Sequence, residues 1–327
     1  MSKCLYCYKE LGPEEHDFHA SCARKFFGTT EAPVMEYTRS DMDRLAEKII
    51  QSQTTLTGVQ PKLSLNLQQH EGTRHLTIKG LCGCYIFKPQ TDDYPQLPEN
   101  EDLTMHLAEI AKIKTAQHSL IRLADQSLGY LTKRMDRDGK GNKLAMEDFC
   151  QLTERQTEYK YHSSHEQIAK AIAKYSTTPQ LDLVNYYELL LFCWLTGNND
   201  MHLKNFSLLS NKHGGYGLSP AYDLLNVAIA NPKDTEELAL TLNGKKKRIT
   251  LKDFKIAASQ SDIPEKVIDA VAAHFRKCLP AWEVAIASSF LSKDLQQGYL
   301  DLLHNRFERM AYRSKCRLKK TTYSSMG

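Results

Sequence analysis

The sequence predicts an α+β fold in two lobes, strand-rich in its first half and helical in its second. Three observations lead there. Between residues 62 and 88 apolar and polar side chains alternate as half-buried strands require. From residue 166 onward apolar positions recur at helical spacing instead. The chain has 327 residues, longer than most single cores, so two lobes or two closely packed domains with short terminal elaborations are expected, with a cleft available between lobes.

The elements follow in order. Met42, Leu45, Ile49 and Ile50 recur at helical spacing over residues 36–52, with Ser40 as a possible cap and Asp43 after it. Strands are expected over 62–67, 76–78 and 84–88, the last stopped by Pro89. A helix over 101–113 places Leu103, Leu107, Ile110 and Ala111 on one face, and a short strand over 128–134 follows. Helices are then expected over 166–175, 181–196 and 263–278. Between the last two, an apolar strand over 206–209 runs into a turn at Gly214-Gly215. Segment 181–196 is the most apolar helix, yet too short and too interrupted to span a bilayer. Its position matters more: it delivers Gly197-Asn198-Asn199-Asp200 to the end of a buried, rigid element.

Composition narrows the class. Hydrophobic content of 41% and charged content of 25% are those of an ordinary globular protein. A net charge of +4 argues little for nucleic acid, and the basic runs at 245–248 and 313–320 read as solvated surface. The absence of a membrane-length apolar stretch or an apolar leader predicts a cytoplasmic protein, and nine scattered cysteines then predict reduced thiols. Within the first 30 residues, Cys4-Leu-Tyr-Cys7 and His19-Ala-Ser-Cys22 flank a turn at Gly12-Pro13 and look like a separate small module. Cys4, Cys7, His19 and Cys22 would satisfy a tetrahedral zinc ion. They fit equally a short hairpin with unpaired thiols.

The chemistry concentrates further on. In Gly197-Asn-Asn-Asp200-Met-His-Leu-Lys204-Asn205 an Asp precedes an Asn by five residues, the spacing of a kinase catalytic loop. There the Asp accepts the proton of the attacking hydroxyl and the Asn ligates magnesium. Eighteen residues on, Asp223 stands where a second metal-binding carboxylate falls, and Asn205 with Asp223 would supply the protein's share of a hard octahedral ion. Lys88, ending a strand, would bind ATP phosphates with Glu101 as its ion-pair partner. His202 and Lys204 are candidate helpers near the γ-phosphate. Residues 54–62 lie where a phosphate-covering loop belongs, with Thr57, Gly58 and Val59 around a single glycine and hydroxyls at Thr55 and Thr57. The order Lys, Glu, Asp, Asn, Asp is that of a protein kinase, so the two lobes are expected to be protein-kinase-like.

Several strings together resemble a known family. Thr57-Gly-Val-Gln-Pro-Lys62-Leu, Ile86-Phe-Lys88-Pro, Pro98-Glu-Asn-Glu101, Glu147-Asp-Phe-Cys-Gln151, Gly197 to Ser207, and Pro220-Ala-Tyr-Asp223-Leu recur in this order in the HipA-like serine/threonine kinases. The likeness covers about residues 50 to 310 and is nearest to the short HipT type, since the N-terminal subdomain of full-length HipA has no counterpart here. The resemblance implies a fold related to protein and phosphatidylinositol kinases. It also implies ATP and Mg²⁺ as cofactors, adenine contacts by backbone near Lys133 and Met135, and autophosphorylation at Thr55 or Thr57. An aminoacyl-tRNA synthetase is the implied substrate, and a HipB-like DNA-binding antitoxin and a HipS-like small subunit the implied partners, with DNA met only indirectly and no membrane. On these readings residues 1–30 form the Cys/His module, 31–135 the N-lobe, 136–312 the helical C-lobe and 313–327 a basic flexible tail. A kinase-shaped binding subunit of an antitoxin–DNA complex and a small-molecule or lipid kinase are the competing readings.

Overall fold

The computed structural model describes residues 2–52, 62–70, 73–78, 83–138, 140–211 and 214–321, without the side chains of 46–52, 70 and 311–321. The chain divides into two units, the first comprising residues 1–106, 115–144 and 287–291, the second residues 107–114, 145–286 and 292–327.

The first unit holds α1 (Ala20–Phe27), α2 (Arg39–Ser52) and an antiparallel sheet of β1 (Leu63–His70), β2 (Thr73–Ile78), β3 (Tyr85–Lys88), β4 (His118–Arg122) and β5 (Leu128–Lys133), in the order β2-β1-β3-β5-β4. Helix α3 (Leu97–Ile110) follows β3, and its last turn belongs to the second unit. Alternation explains the sheet: Leu63, Leu65 and Phe87 point into the core, and β3 sets Lys88 opposite Tyr130 of β5. Strand β4 was not expected from sequence. Residues 2–30 are not a separate module, because Cys4, Leu5, Phe18, Phe26 and Phe27 share one apolar core with β1, β3, β4 and β5. The reason is size, since so few residues cannot bury a core of their own.

The second unit is mainly helical. A small sheet, β6 (Met146–Asp148), β7 (Ser207–Ser210) and β8 (Tyr216–Leu218), pairs antiparallel in that order. Around it lie α4 (Phe149–Leu152), α5 (His165–Tyr175), α6 (Pro179–Leu195), α7 (Val227–Ala230), α8 (Leu251–Ser259), α9 (Glu265–Ser288) and α10 (Lys293–Thr321). Helix α6 begins with Pro179 in its first turn, where the missing N–H costs nothing, and is buried almost all round from Tyr186 to Leu195. Arg306 and Arg309 of α10 meet Glu237 at 2.8 and 2.9 Å, and Trp194 Nε1 of α6 donates to the same carboxylate at 3.1 Å. Helix α10 runs to Thr321, into the segment expected to be a flexible tail, as its Lys, Arg and Leu content favours. No helix among the described residues is long and apolar enough to cross a membrane.

Candidate functional site

In the second unit the loop after α6 is set by Gly197, whose φ of +72° lies in the left-handed region. A Cβ there would stand 2.7 Å from Asn226 Oδ1 and 2.8 Å from Leu302 Cδ2, so only glycine allows the chain to turn this close. Asn199 Nδ2 then donates to Asp234 at 3.1 Å and to the Glu236 carbonyl at 2.9 Å, pinning the residue before Asp200. Asp200 reaches solvent on one side, yet Tyr161 donates its hydroxyl to Oδ1 at 2.7 Å. Crowding by protein raises the Asp200 pKa above the ordinary carboxylate range, while the Tyr161 hydrogen bond and the Lys160 charge act in the opposite sense. A raised but solvent-accessible carboxylate is suited to taking a proton.

His202 is buried and caps the short 3₁₀ turn Leu203–Asn205, its Nδ1 accepting from the Lys204 N–H at 3.3 Å, with the Tyr161 ring edge-on 5.0 Å away. Lys204 pairs with Asp148 at 3.2 Å. Asn205 donates through Nδ2 to Asp223 Oδ2 at 3.2 Å, while its Oδ1 accepts from the His202 N–H at 3.3 Å. Asp223 sits at φ +55°, a conformation in which Asp is among the few side chains tolerated. One carboxylate and one amide suit Mg²⁺, which keeps waters and takes oxygen ligands from a substrate. The donor chemistry therefore fits, although sharing a cation requires the Asn205 amide to turn its oxygen towards Asp223.

In the first unit Lys88 Nζ lies 2.6 Å from Glu101 Oε1, with both side chains buried. The Lys88 ammonium also sits over the Tyr130 ring, 5.4 Å from its centroid. Beside Glu101, Asp102 receives the Tyr8 hydroxyl at 2.6 Å, and His118 Nδ1 and His106 Nε2 lie 2.7 and 3.4 Å from its oxygens. Burial pushes the Asp102 pKa up, but the two histidines more than offset it and hold the group at about 2. The Lys133 N–H is engaged by the Gln117 carbonyl at 2.8 Å, its ammonium lies 5.4 Å from the Phe26 centroid, and burial lowers its pKa. Met135 follows β5, half-buried. Cys4, Cys7, His19 and Cys22 come together, with their donor atoms within 4.8 Å of one another. Thr55, Thr57, Gly58 and Val59 lie outside the described residues.

Two residues escaped the sequence reading, Tyr161 and Asp102, and Asp148 entered it only within the string 147–151, without a role. Nothing local marks Tyr161 as a partner of an aspartate 39 residues away.

Residues 54–282 match the family model described as the HipA-like C-terminal domain. The chain belongs to the HipA-like family. A Haemophilus influenzae relative named "Putative kinase" is 28% identical to this HipA-like chain over 185 residues, 53% of each protein. A Sinorhizobium fredii relative, "Putative kinase Y4dM", is 30% identical over 244 residues, covering 70% of this chain and 59% of its own. The chain thus spans little more than half the length of these curated relatives. Among solved structures, a chain of the Shewanella oneidensis toxin–antitoxin complex of HipA, HipB and operator DNA superposes with a TM-score of 0.66 at 22% identity, over 81% of this chain and 71% of that one. At that identity the likeness establishes the fold.

Proposed function

We propose that this HipA-like chain is an ATP-dependent serine/threonine protein kinase of the HipT type, the toxin of a HipBST-like toxin–antitoxin system. Asp200 accepts the proton of the acceptor hydroxyl while that oxygen bonds to the γ-phosphorus and the bond from phosphorus to the β–γ bridging oxygen breaks. Lys88, oriented by Glu101, steadies the ATP phosphates. Mg²⁺ held by Asn205 and Asp223 would neutralise charge on those phosphates. Tyr161 orients the Asp200 carboxylate, and Lys204 and His202 shape the loop that carries it. The backbone near Lys133 and Met135 meets adenine, and Thr55 or Thr57 receives phosphate in autoregulation. The acceptor in the cell is a protein, with an aminoacyl-tRNA synthetase as the leading choice. A HipB-like antitoxin restrains the enzyme, by analogy with the HipA neighbour, whose described complex contains HipB and operator DNA, and a HipS-like subunit, which is not among those described components, completes the HipBST-like arrangement.

The observation that carries this reading is the buried Lys88–Glu101 pair at 2.6 Å. Two charges removed from water rarely stabilise a core more than apolar residues of the same size, so a task for the ammonium explains its retention better than packing does. The basic run offers little to DNA: Lys245, Lys246 and Lys247 are engaged by Asp253, Glu236 and Thr235 at 2.7, 3.2 and 2.6 Å. The test is transfer of labelled phosphate from Mg-ATP to the protein itself and to a cell lysate, with phosphosites located by mass spectrometry. Asp200→Asn should lower the rate by about 10²–10⁴. A folded wild type that transfers nothing, or an Asp200→Asn variant as active as wild type, would sink the assignment.

A further inference from the structure

We propose that Cys4, Cys7, His19 and Cys22 hold a structural zinc ion, and that this metal fastens the N-terminal segment to helix α3. A tetrahedral ion with bonds of about 2.3 Å to sulfur and 2.0–2.1 Å to nitrogen sets neighbouring S and N donors about 3.6 Å apart. Cys7 Sγ lies 3.4 Å and Cys22 Sγ 3.7 Å from the same atom, His19 Nδ1. One imidazole lone pair can accept from one thiol, so thiol hydrogen bonding does not account for sulfur crowding this nitrogen from two sides. The other ring nitrogen, Nε2, lies 2.9 Å from the Glu10 carbonyl oxygen. A carbonyl can only accept, so Nε2 carries the proton and Nδ1 presents its lone pair to the sulfurs. That pairing is the outer contact metal-bound histidines habitually make.

The backbone presents the ligands from two fixed elements. Cys4 N–H donates to the Lys9 carbonyl and Tyr8 N–H to the Cys4 carbonyl, each at 2.9 Å, folding Cys4 to Cys7 into a tight knuckle. His19 is the N-cap residue of α1, and Cys22 lies in its first turn. Three thiols and one imidazole are borderline-soft donors, which select zinc over magnesium or calcium.

The knuckle leads straight to α3. Tyr8, next after Cys7, has φ +63°, a region bulky side chains avoid, and is held there by its neighbours. Its ring lies edge-on to His106 at 4.6 Å and Phe290 at 5.3 Å, and its hydroxyl reaches Asp102 at 2.6 Å. Asp102 adjoins Glu101, so a metal that fixes Cys7 fixes a contact one residue from the Lys88 partner, all within the first unit.

The test is read without turnover and is therefore independent of the kinase assignment. Full-length protein purified without chelators is analysed for metal, and the expected content is about one zinc per chain. His19→Ala and Cys22→Ser, chosen because these side chains are partly exposed, should each retain less than about a fifth of it. Cobalt-loaded wild type should show the intense visible bands of a four-coordinate thiolate site, a readout that does not depend on any variant folding. Stripping zinc with a mercurial and chelator should accelerate amide exchange in the first turns of α3 by at least about tenfold, reversed by adding zinc. Only trace zinc together with no cobalt bands overturns the site, as does full zinc retained by both variants. Unchanged α3 exchange after zinc loss overturns the fastening role.

Discussion

Replacing Glu101 with alanine removes a carboxylate oxygen 2.6 Å from the Lys88 ammonium. The side chains are only 4% and 3% exposed, so the pair escapes the solvent screening that leaves surface ion pairs worth about 0–1 kcal/mol. Breaking a buried pair from one side costs about 3–5 kcal/mol, because the remaining charge stays in a poorly polarisable surrounding. The face of Tyr130, with its centroid 5.4 Å from Nζ, survives in the variant and returns about 0.5–2 kcal/mol. The expected loss is therefore about 3 kcal/mol, a large share of the roughly 5–15 kcal/mol that holds a domain folded. The double variant Lys88→Met, Glu101→Leu removes both charges at similar volume and should lie within about 1.5 kcal/mol of wild type. Urea unfolding followed by amide exchange in β3 and α3 measures this, since those probes report the unit that contains the pair. A single variant costing under about 1 kcal/mol, or a double variant less stable than the single one, would refute the reasoning.

Two further outcomes concern pH. The Tyr161 hydrogen bond favours ionised Asp200 against the desolvation that raises its pKa, so Tyr161→Phe should move the acid limb of kcat/KM to higher pH. A pH–rate profile with an unmoved limb would show that Asp200 is not the titrating base. Burial pushes the Glu237 pKa up, but the Arg309 hydrogen bond, the Arg306 charge and the Trp194 hydrogen bond more than offset it and hold it at about 2. A depressed folded-state pKa contributes stability above the unfolded value of about 4.3 and loses it as pH falls towards about 2. Wild type should thus exceed Glu237→Gln by about 2–3 kcal/mol at neutral pH, and denaturant melts should show the gap closing through that acid window. A gap independent of pH there would contradict the assignment.

The sequence by itself determined the elements whose signal is local. Alternation and short apolar runs marked β1, β3 and β5, helical spacing marked α2, α5, α6 and α9, and the loop at the end of α6 stood out because Asp200, Asn205 and Asp223 follow Lys88 and Glu101 in the order of a kinase. Strands β6 and β8 were illegible because three residues carry too few positions for a period, β4 because it is buried from His118 to Ile121 and shows no alternation, and their ladders are supplied by β7 and β5. Nor did any local pattern say that Cys4, Leu5 and Phe26 would join the core of the sheet. Tertiary structure alone brought Tyr161 to Asp200 and Tyr8 to Asp102, and it gave geometry to two meetings the sequence had suggested, Asn205 with Asp223 and His19 with Cys7 and Cys22. Periodicity is written in each segment because burial of one face repeats with the backbone's own geometry. A hydrogen bond or ion pair between residues far apart in the chain exists only once the elements between them have packed, and no local property of either partner records it.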